Sequence, residues 1–301
     1  MGPAVSLTGR DIGQDFAWKD GWNMYHGEVV PGFPSHPHRG FETVTIVREG
    51  LVDHSDSMGA AGRYGNGDVQ WLTTGAGVQH AEMFPLINQH QPNPLDLFQI
   101  WVNLPAQDKM TPPHFAMLWN QTIPRRSYKD GANGAATITV YAGSFDGMTA
   151  PSPPPASWAS RPDSDFAIWT LQLPSNASFT LPPANAGTNR SLYFFSGSKL
   201  SINGHSIPPT SAAFVRADAA LQIESGDIGA ELLLLQGRPI GEPVAQHGPF
   251  VMNTRKQLIE AFADYQATQF GGWPWPNDDH THPRDKKRFA LHADGREEVP
   301  E

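Results

Sequence analysis

Glycine and proline punctuate this chain so regularly that no long helix can run through most of it. The 29 glycines and 28 prolines fall in short, separated clusters through 301 residues, and each cluster favours a turn over a continuing helix. Between them lie short apolar runs: "ETVTIVREG", "LVDHSDS", "GDVQWLT" and "LFQIWVNLP", then "ATITVYAGSF" near residue 136. Strand-length segments at this spacing predict an all-β sandwich or barrel. A chain of this length exceeds the usual size of a single core and is expected to form two domains of roughly 150 residues.

The second half repeats the rhythm in "DFAIWTLQLP", "ASFTLPP", "SLYFFSG", "KLSING", "AAFVRADAALQIES" and "AELLLLQG", without a repeat that aligns residue by residue. The Pro-rich "APSPPPASW" at 150–158 reads as a rigid surface loop. One helix is predicted late. In "NTRKQLIEAFADYQATQFGG", Leu258, Ile259, Phe262 and Tyr265 recur at helical spacing, with Asn253 or Thr254 as cap and Gly271 as stop.

Charge and composition narrow the chemistry. The formal net charge is -9 and the largest cationic cluster is "RDKKR" at 284–288, which argues against direct nucleic-acid binding. The chain has no cysteine, so disulfides and thiolate metal sites are ruled out and any ion is left to His, Asp and Glu. The N-terminal stretch shows no basic start followed by an apolar core, and no window approaches about 18 uninterrupted apolar residues. A cytoplasmic protein without membrane contact is expected.

Ligand-type residues concentrate in two places. In "GFPSHPHRGFET", side-chain alternation puts His36 and His38 on one face of a strand, about 6.6 Å apart, with Pro37 and Arg39 facing the other way. In "GAGVQHAEMF", His80 and Glu82 stand in the same relation. Two neighbouring strands, each offering such a pair, would surround one ion. Three neutral imidazoles and a carboxylate leave about two positions of a six-coordinate divalent ion open, the logic of a non-haem iron centre. Glu42 shares parity with His36 and His38 and resembles the last residue of the H-x-H-x3-E pattern of cupins. Spacing alone therefore leaves Glu42 and Glu82 as alternatives.

The segments "GFPSHPHRGFETVT", "GDVQWLTTGAGVQHAEM", "LFQIWVNLP", "KMTPPHF" and "QHGPFVMNT" together resemble the pirins, which are bicupins. The resemblance runs from about residue 22 to the "FGGWPW" and "RFA" elements. It implies two stacked antiparallel β-barrels of jelly-roll type with a C-terminal helix. The expected division is 1–130 for a metal-carrying barrel, 131–252 for a barrel without ligands, and 253–301 for a helix and tail packing on the barrels. By the same resemblance the ligands are His36, His38, His80 and Glu82, and Glu42 becomes a neighbour able to orient a ligand imidazole.

The C-terminal half offers only His205 and His247 before the helix, with no paired ligand pattern. His26, His54, His90, His114, His280, His282 and His292 read as solvated or hydrogen-bonded residues, and "HTHPR" at 280–284 has no partner pair nearby in sequence. The resemblance implies a quercetin 2,3-dioxygenase, with Fe2+ expected and Cu, Mn, Co, Ni or Zn as alternatives. Its substrates would be a flavonol and dioxygen, and Glu82 would be the general base at the 3-hydroxyl. Phe33, Phe41, Trp71, Met83 and Phe98 are candidates for apolar walls, or simply for core. Two other readings stand beside this one: a non-enzymatic iron-binding regulator that engages a protein partner in a redox-dependent way, and a cupin enzyme with another small substrate. Pro37 biases His36 towards extended geometry and would preorganise the two imidazoles.

Overall fold

Strand after strand follows the turn punctuation, in a computed structural model that describes residues 1–2, 7, 30–129 and 135–301. His26 lies outside these residues. Eight strands come first: β1 (Gly32–His38), β2 (Phe41–Glu49), β3 (Leu51–Asp56), β4 (Ala61–Gly65), β5 (Val69–Thr73), β6 (Val78–Met83), β7 (Asp96–Asn103) and β8 (His114–Leu118). Twelve more follow: β9 (Arg125–Lys129), β10 (Ala135–Ala142), β11 (Ser144–Phe145), β12 (Met148–Thr149), β13 (Ala167–Leu173), β14 (Ser178–Leu181), β15 (Asn189–Gly197), β16 (Leu200–Ile202), β17 (His205–Ile207), β18 (Ser211–Arg216), β19 (Leu221–Ser225) and β20 (Ala230–Gly237). The chain ends with β21 (Ala245–His247), β22 (Phe250–Met252), α1 (Arg255–Thr268), β23 (Phe289–Leu291) and β24 (Glu297–Glu298).

The molecule divides into two units, residues 1–120 with 242–301, and residues 121–241. In the first, one antiparallel sheet runs β1-β6-β3-β4-β23-β24 and a second runs β7-β2-β5-β8. In the other, the sheets run β18-β15-β20-β13-β10-β9 and β14-β19-β16-β17. Each unit has its own buried core, with Val47, Tyr64, Leu72 and Val78 in the first and Ile138, Leu171, Leu192 and Leu234 in the second. β2 shows why these segments become strands. Its "FETVTIVRE" is rich in β-branched residues, and it is buried along nearly its whole length because it pairs with both β5 and β7.

The unit boundaries fall at 120 and 241, against 130 and 252 expected from sequence. β9 belongs with β10, Arg125 standing opposite Thr139. The β21–β22 hairpin returns to the first unit, where Phe250 bridges Arg39 and the Lys109 ammonium donates to the Val251 carbonyl (3.0 Å). The tail does more than pack on a wall: β23 pairs with β4, Ala290 opposite Gly62, and so extends the sheet that contains β1 and β6. Residues 150–158 are largely irregular, as the prolines require.

Helix α1 starts at Thr254, whose hydroxyl accepts from the Gln257 N–H while the Gln257 side chain accepts from the Thr254 N–H, a reciprocal capping box. It packs Leu258, Ala261, Phe262 and Tyr265 against Phe250 and Met252. Ile259, read from spacing as part of that face, is instead exposed. The left-handed residue that ends the helix is Gln269 (φ 52°), ahead of the glycine expected to stop it. Among the described residues no helix is long and apolar enough to cross a membrane.

Candidate metal centre

His36 and His80 occupy opposed positions of the antiparallel β1–β6 pair, and period-two alternation then brings His38 to the same face. The ring centroids of His36 lie 4.8 Å from His38 and 4.5 Å from His80, with 4.9 Å between His38 and His80. One ring nitrogen from each lies within 4.8 Å of the others, so these three side chains could hold one metal ion. β1 is the edge strand of its sheet, which is where a residue without an N–H is tolerated, and Pro37 stands opposite Gln79. Arg39 points the other way, donating to the Ala76 carbonyl (2.6 Å) and to Asp264 of α1 (2.7 Å).

Local hydrogen bonds select the tautomers. His36 Nδ1–H donates to the Pro34 carbonyl (2.7 Å), and His38 Nδ1 faces the Pro249 carbonyl at 3.4 Å. A carbonyl only accepts, so the proton sits on Nδ1 and the Nε2 lone pair is left for an ion. Both nitrogens of the fully buried His80 are without a hydrogen-bond partner among the described residues. Orphaned buried nitrogens are costly unless something binds them, and a metal ion is the partner this geometry fits. Burial, with His36 and His38 close by, pushes the His80 pKa well below its usual range, and burial pushes His38 down to about 3. Neutral imidazole is the form a metal requires.

Glu82 follows His80 on the same face of β6. One carboxylate oxygen accepts from the Thr45 hydroxyl (3.2 Å), the other from the Gln99 amide (2.7 Å), and the latter oxygen lies 4.0 Å from His80 Nε2. Glu42 takes a different direction. Arg39-Gly40 separates β1 from β2, with Gly40 at φ +84°, so the alternation that starts at His36 is not carried through to Glu42. Three residues before Thr45 on the same strand, Glu42 faces away from it and accepts from the Thr73 hydroxyl (2.6 Å). At Gly40 a side chain would stand 2.1 Å from the Val251 carbonyl oxygen, so glycine is required there.

Four residues around the centre were not singled out from sequence. Thr45 and Gln99 sit opposite each other on β2 and β7. Trp101, two residues on from Gln99, packs its half-exposed ring on Phe41 (4.3 Å) and 5.6 Å from His38. His54, read as an ordinary histidine, is buried beside the site: it bonds Asp56 (3.0 Å), and its ring lies 5.5 Å from that of His80. The "DHSD" alternation on β3 was the available signal for it. Of the proposed apolar walls, Phe33 lies edge-on to His36, while Trp71 and Met83 are fully buried core. His280 stacks on Trp275 and His282 bonds the His54 carbonyl. Among the described residues no further ligand-type side chain joins these two in a group that could hold an ion.

Residues 9–102 match the family model described as Pirin, and residues 168–271 match the Pirin C-terminal cupin domain. The chain is 34% identical over 255 residues to human pirin, covering 83% of this chain and 81% of the relative. It is 36% identical over 242 residues to a Pseudomonas aeruginosa protein provisionally named quercetin 2,3-dioxygenase, covering 79% and 80%. Its fold resembles a crystal structure of quercetin 2,3-dioxygenase from Acinetobacter baumannii, with TM-score 0.71 and 31% identity over 81% of this chain and 80% of that one.

Proposed function

This chain belongs to the pirin family, a bicupin fold, and on that premise we propose that it is a metal-dependent dioxygenase of flavonols, of the quercetin 2,3-dioxygenase type. The observation that carries the reading is the convergence of His36, His38 and His80 beside a carboxylate, Glu82, held by two donors. The names of the similar Pseudomonas and Acinetobacter proteins support the same reaction class.

In this reading the three histidines and Glu82 hold one divalent ion, Fe2+ being the assignment for a His-and-carboxylate set without thiolates. When bound, the ion supplies Lewis acidity towards the 3-hydroxyl and neighbouring carbonyl of the flavonol and a coordination position for dioxygen. The protein supplies the rest. Gln99 and Thr45 aim the Glu82 carboxylate, which on swinging off the ion would take the 3-hydroxyl proton as general base. Phe33 and Trp101 offer aromatic faces beside His36 and His38 for a flat substrate. The overall reaction in this reading would add both atoms of dioxygen to the flavonol, break the two ring C–C bonds of the carbon bearing the 3-hydroxyl, and release that carbon as carbon monoxide.

The test is oxygen consumption by ferrous-loaded protein with quercetin, alongside carbon monoxide detection. Uptake of oxygen in step with quercetin loss is expected, and His80→Ala should abolish it. Removal of the base in Glu82→Gln should lower kcat about 10²- to 10⁴-fold. No uptake with a panel of flavonols and with iron, copper, manganese, cobalt, nickel and zinc would sink the proposal.

A further inference from the structure

We propose that the mouth of the second barrel binds a planar aromatic carboxylate, with Arg190 taking the carboxylate and Phe145, Trp169 and Phe179 surrounding the ring. This site shares no residue with the three-histidine group and does not depend on the dioxygenase reading.

The anomaly is already visible along the strands. On β15 the buried row runs Arg190, Leu192, Phe194, and on β20 it runs Gln236, Leu234, Leu232. Strand periodicity calls for apolar side chains throughout such rows, and the Leu and Phe members do form the core. A guanidinium and an amide at the end of both rows break the local rule, which is what functional positions do.

Arg190 is 3% exposed. Its Nε and Nη2 donate to Gln236 Oε1 (2.8 and 2.6 Å), and Nη1 donates to the Pro182 carbonyl (2.8 Å). A guanidinium carries five N–H donors, so one on Nη1 and one on Nη2 have no partner among the described residues. Nor does any carboxylate among the described residues stand within ion-pair distance of it. Asp165 acts on it from beyond ion-pair distance, so this buried cation is only partly compensated, and a carboxylate accepting two parallel bonds is the ligand its free donors match.

A cavity of about 520 Å³ lies against Arg190, within the range of small-molecule sites. Aromatic rings line it in edge-to-face and tilted contacts, Phe145 to Trp169 at 4.9 Å and Tyr128 to Phe179 at 5.7 Å. Two carboxylates on the wall are already engaged. Asp165 accepts from the Asn185 N–H (2.9 Å) and the Thr188 hydroxyl (2.7 Å), and Asp146 accepts from Arg126 (2.9 Å) and the Tyr128 hydroxyl (3.0 Å). Their charge disfavours a second anionic group, so the ligand has one acid group, placed at Arg190, and a neutral or hydroxyl-bearing far end.

Calorimetric titration of the full chain with 4-hydroxycinnamate tests this, with a chelator present to keep metal out of the first barrel and 4-hydroxycinnamamide as the neutral control. The acid should bind at one saturable site at least about tenfold more tightly than the amide. Phe179→Ala should weaken it about three- to tenfold and Arg190→Gln about tenfold or more. Thermal unfolding reports whether each variant folds; if Arg190→Gln does not, the acid-to-amide ratio and Phe179→Ala decide. Equal affinity for acid and amide, no saturation at millimolar concentration, or no weakening in the folded variants would mean that Arg190 only pins the Pro182 loop, and would overturn the proposal.

Discussion

His36 and His80 are direct cross-strand neighbours, opposed in the β1–β6 register with ring centroids 4.5 Å apart. A slip of one residue would put Gln79 where His80 stands, so strand register and metal geometry are one specification.

His80→Leu should therefore remove stoichiometric metal binding while leaving the metal-free fold intact or slightly more stable. The wild-type imidazole is buried with neither nitrogen hydrogen-bonded, and replacing it removes an unsatisfied group instead of creating one. Metal analysis and urea unfolding with chelator check both halves. A large loss of metal-free stability would contradict the reading of His80 as an orphan awaiting an ion.

The pH dependence of the metal-free protein has a defined sign. His38 and His80 have folded pKa values below the usual 6.5, His38 at about 3. Between those limits the unfolded chain binds protons that the folded chain does not, so stability is highest above pH 6.5 and falls as pH drops towards 3. Each group contributes a slope of up to about 1.4 kcal/mol per pH unit. Urea unfolding at pH 7, 6 and 5 should show a shallower slope in His80→Leu than in wild type. Parallel slopes would refute the assignment.

Gln99→Leu should separate positioning from ligation. Loss of the 2.7 Å bond frees one side of Glu82 while the three histidines remain. Metal content should hold, with flavonol-dependent kcat falling about tenfold and KM moving less, as expected for a group that acts through the base. Loss of the metal itself would show Gln99 to be part of the ion's support.

Pro37→Ala should weaken metal affinity more than it weakens the fold. The fold should lose only about 0.4–1 kcal/mol, because the edge of β1 loses no ladder bond by the change, whereas the ion would lose the preorganisation of both imidazoles. Competition with a chromogenic chelator reads the affinity, and thermal unfolding reads the fold. Unchanged affinity would remove the role assigned to the proline.

Lys109→Met should destabilise the first unit by about 2–4 kcal/mol. Its buried ammonium donates to the Gly40 carbonyl (2.8 Å), Asn103 Oδ1 (2.7 Å) and the Val251 carbonyl (3.0 Å), and methionine leaves all three acceptors unmet. Chemical unfolding measures the loss; wild-type stability would show that water replaces the lysine.

Period-two alternation made the histidine pairs legible, because each pair lies within one strand. Thr45 and Gln99 were not, since they reach Glu82 from strands 37 and 17 residues away through sheet packing. Parity left Glu42 and Glu82 as alternatives because the count runs across the left-handed Gly40, which interrupts the strand. Short β23, "FAL", carries no periodic signal of its own and becomes a strand only because β4 is there to pair with it. The all-β class came from turn punctuation, whereas the return of 242–301 to the first unit depends on contacts far apart in sequence.

That return sets an order of events during synthesis. Residues 121–241 are complete as a unit before β23 has been made, while the sheet bearing His36, His38 and His80 lacks two of its six strands until residues 289–298 emerge. On the ribosome the second barrel can close first, and the histidine-bearing barrel waits for its final strands. A histidine group that does hold an ion would thus gain its finished surroundings only after residues 289–298 have been made.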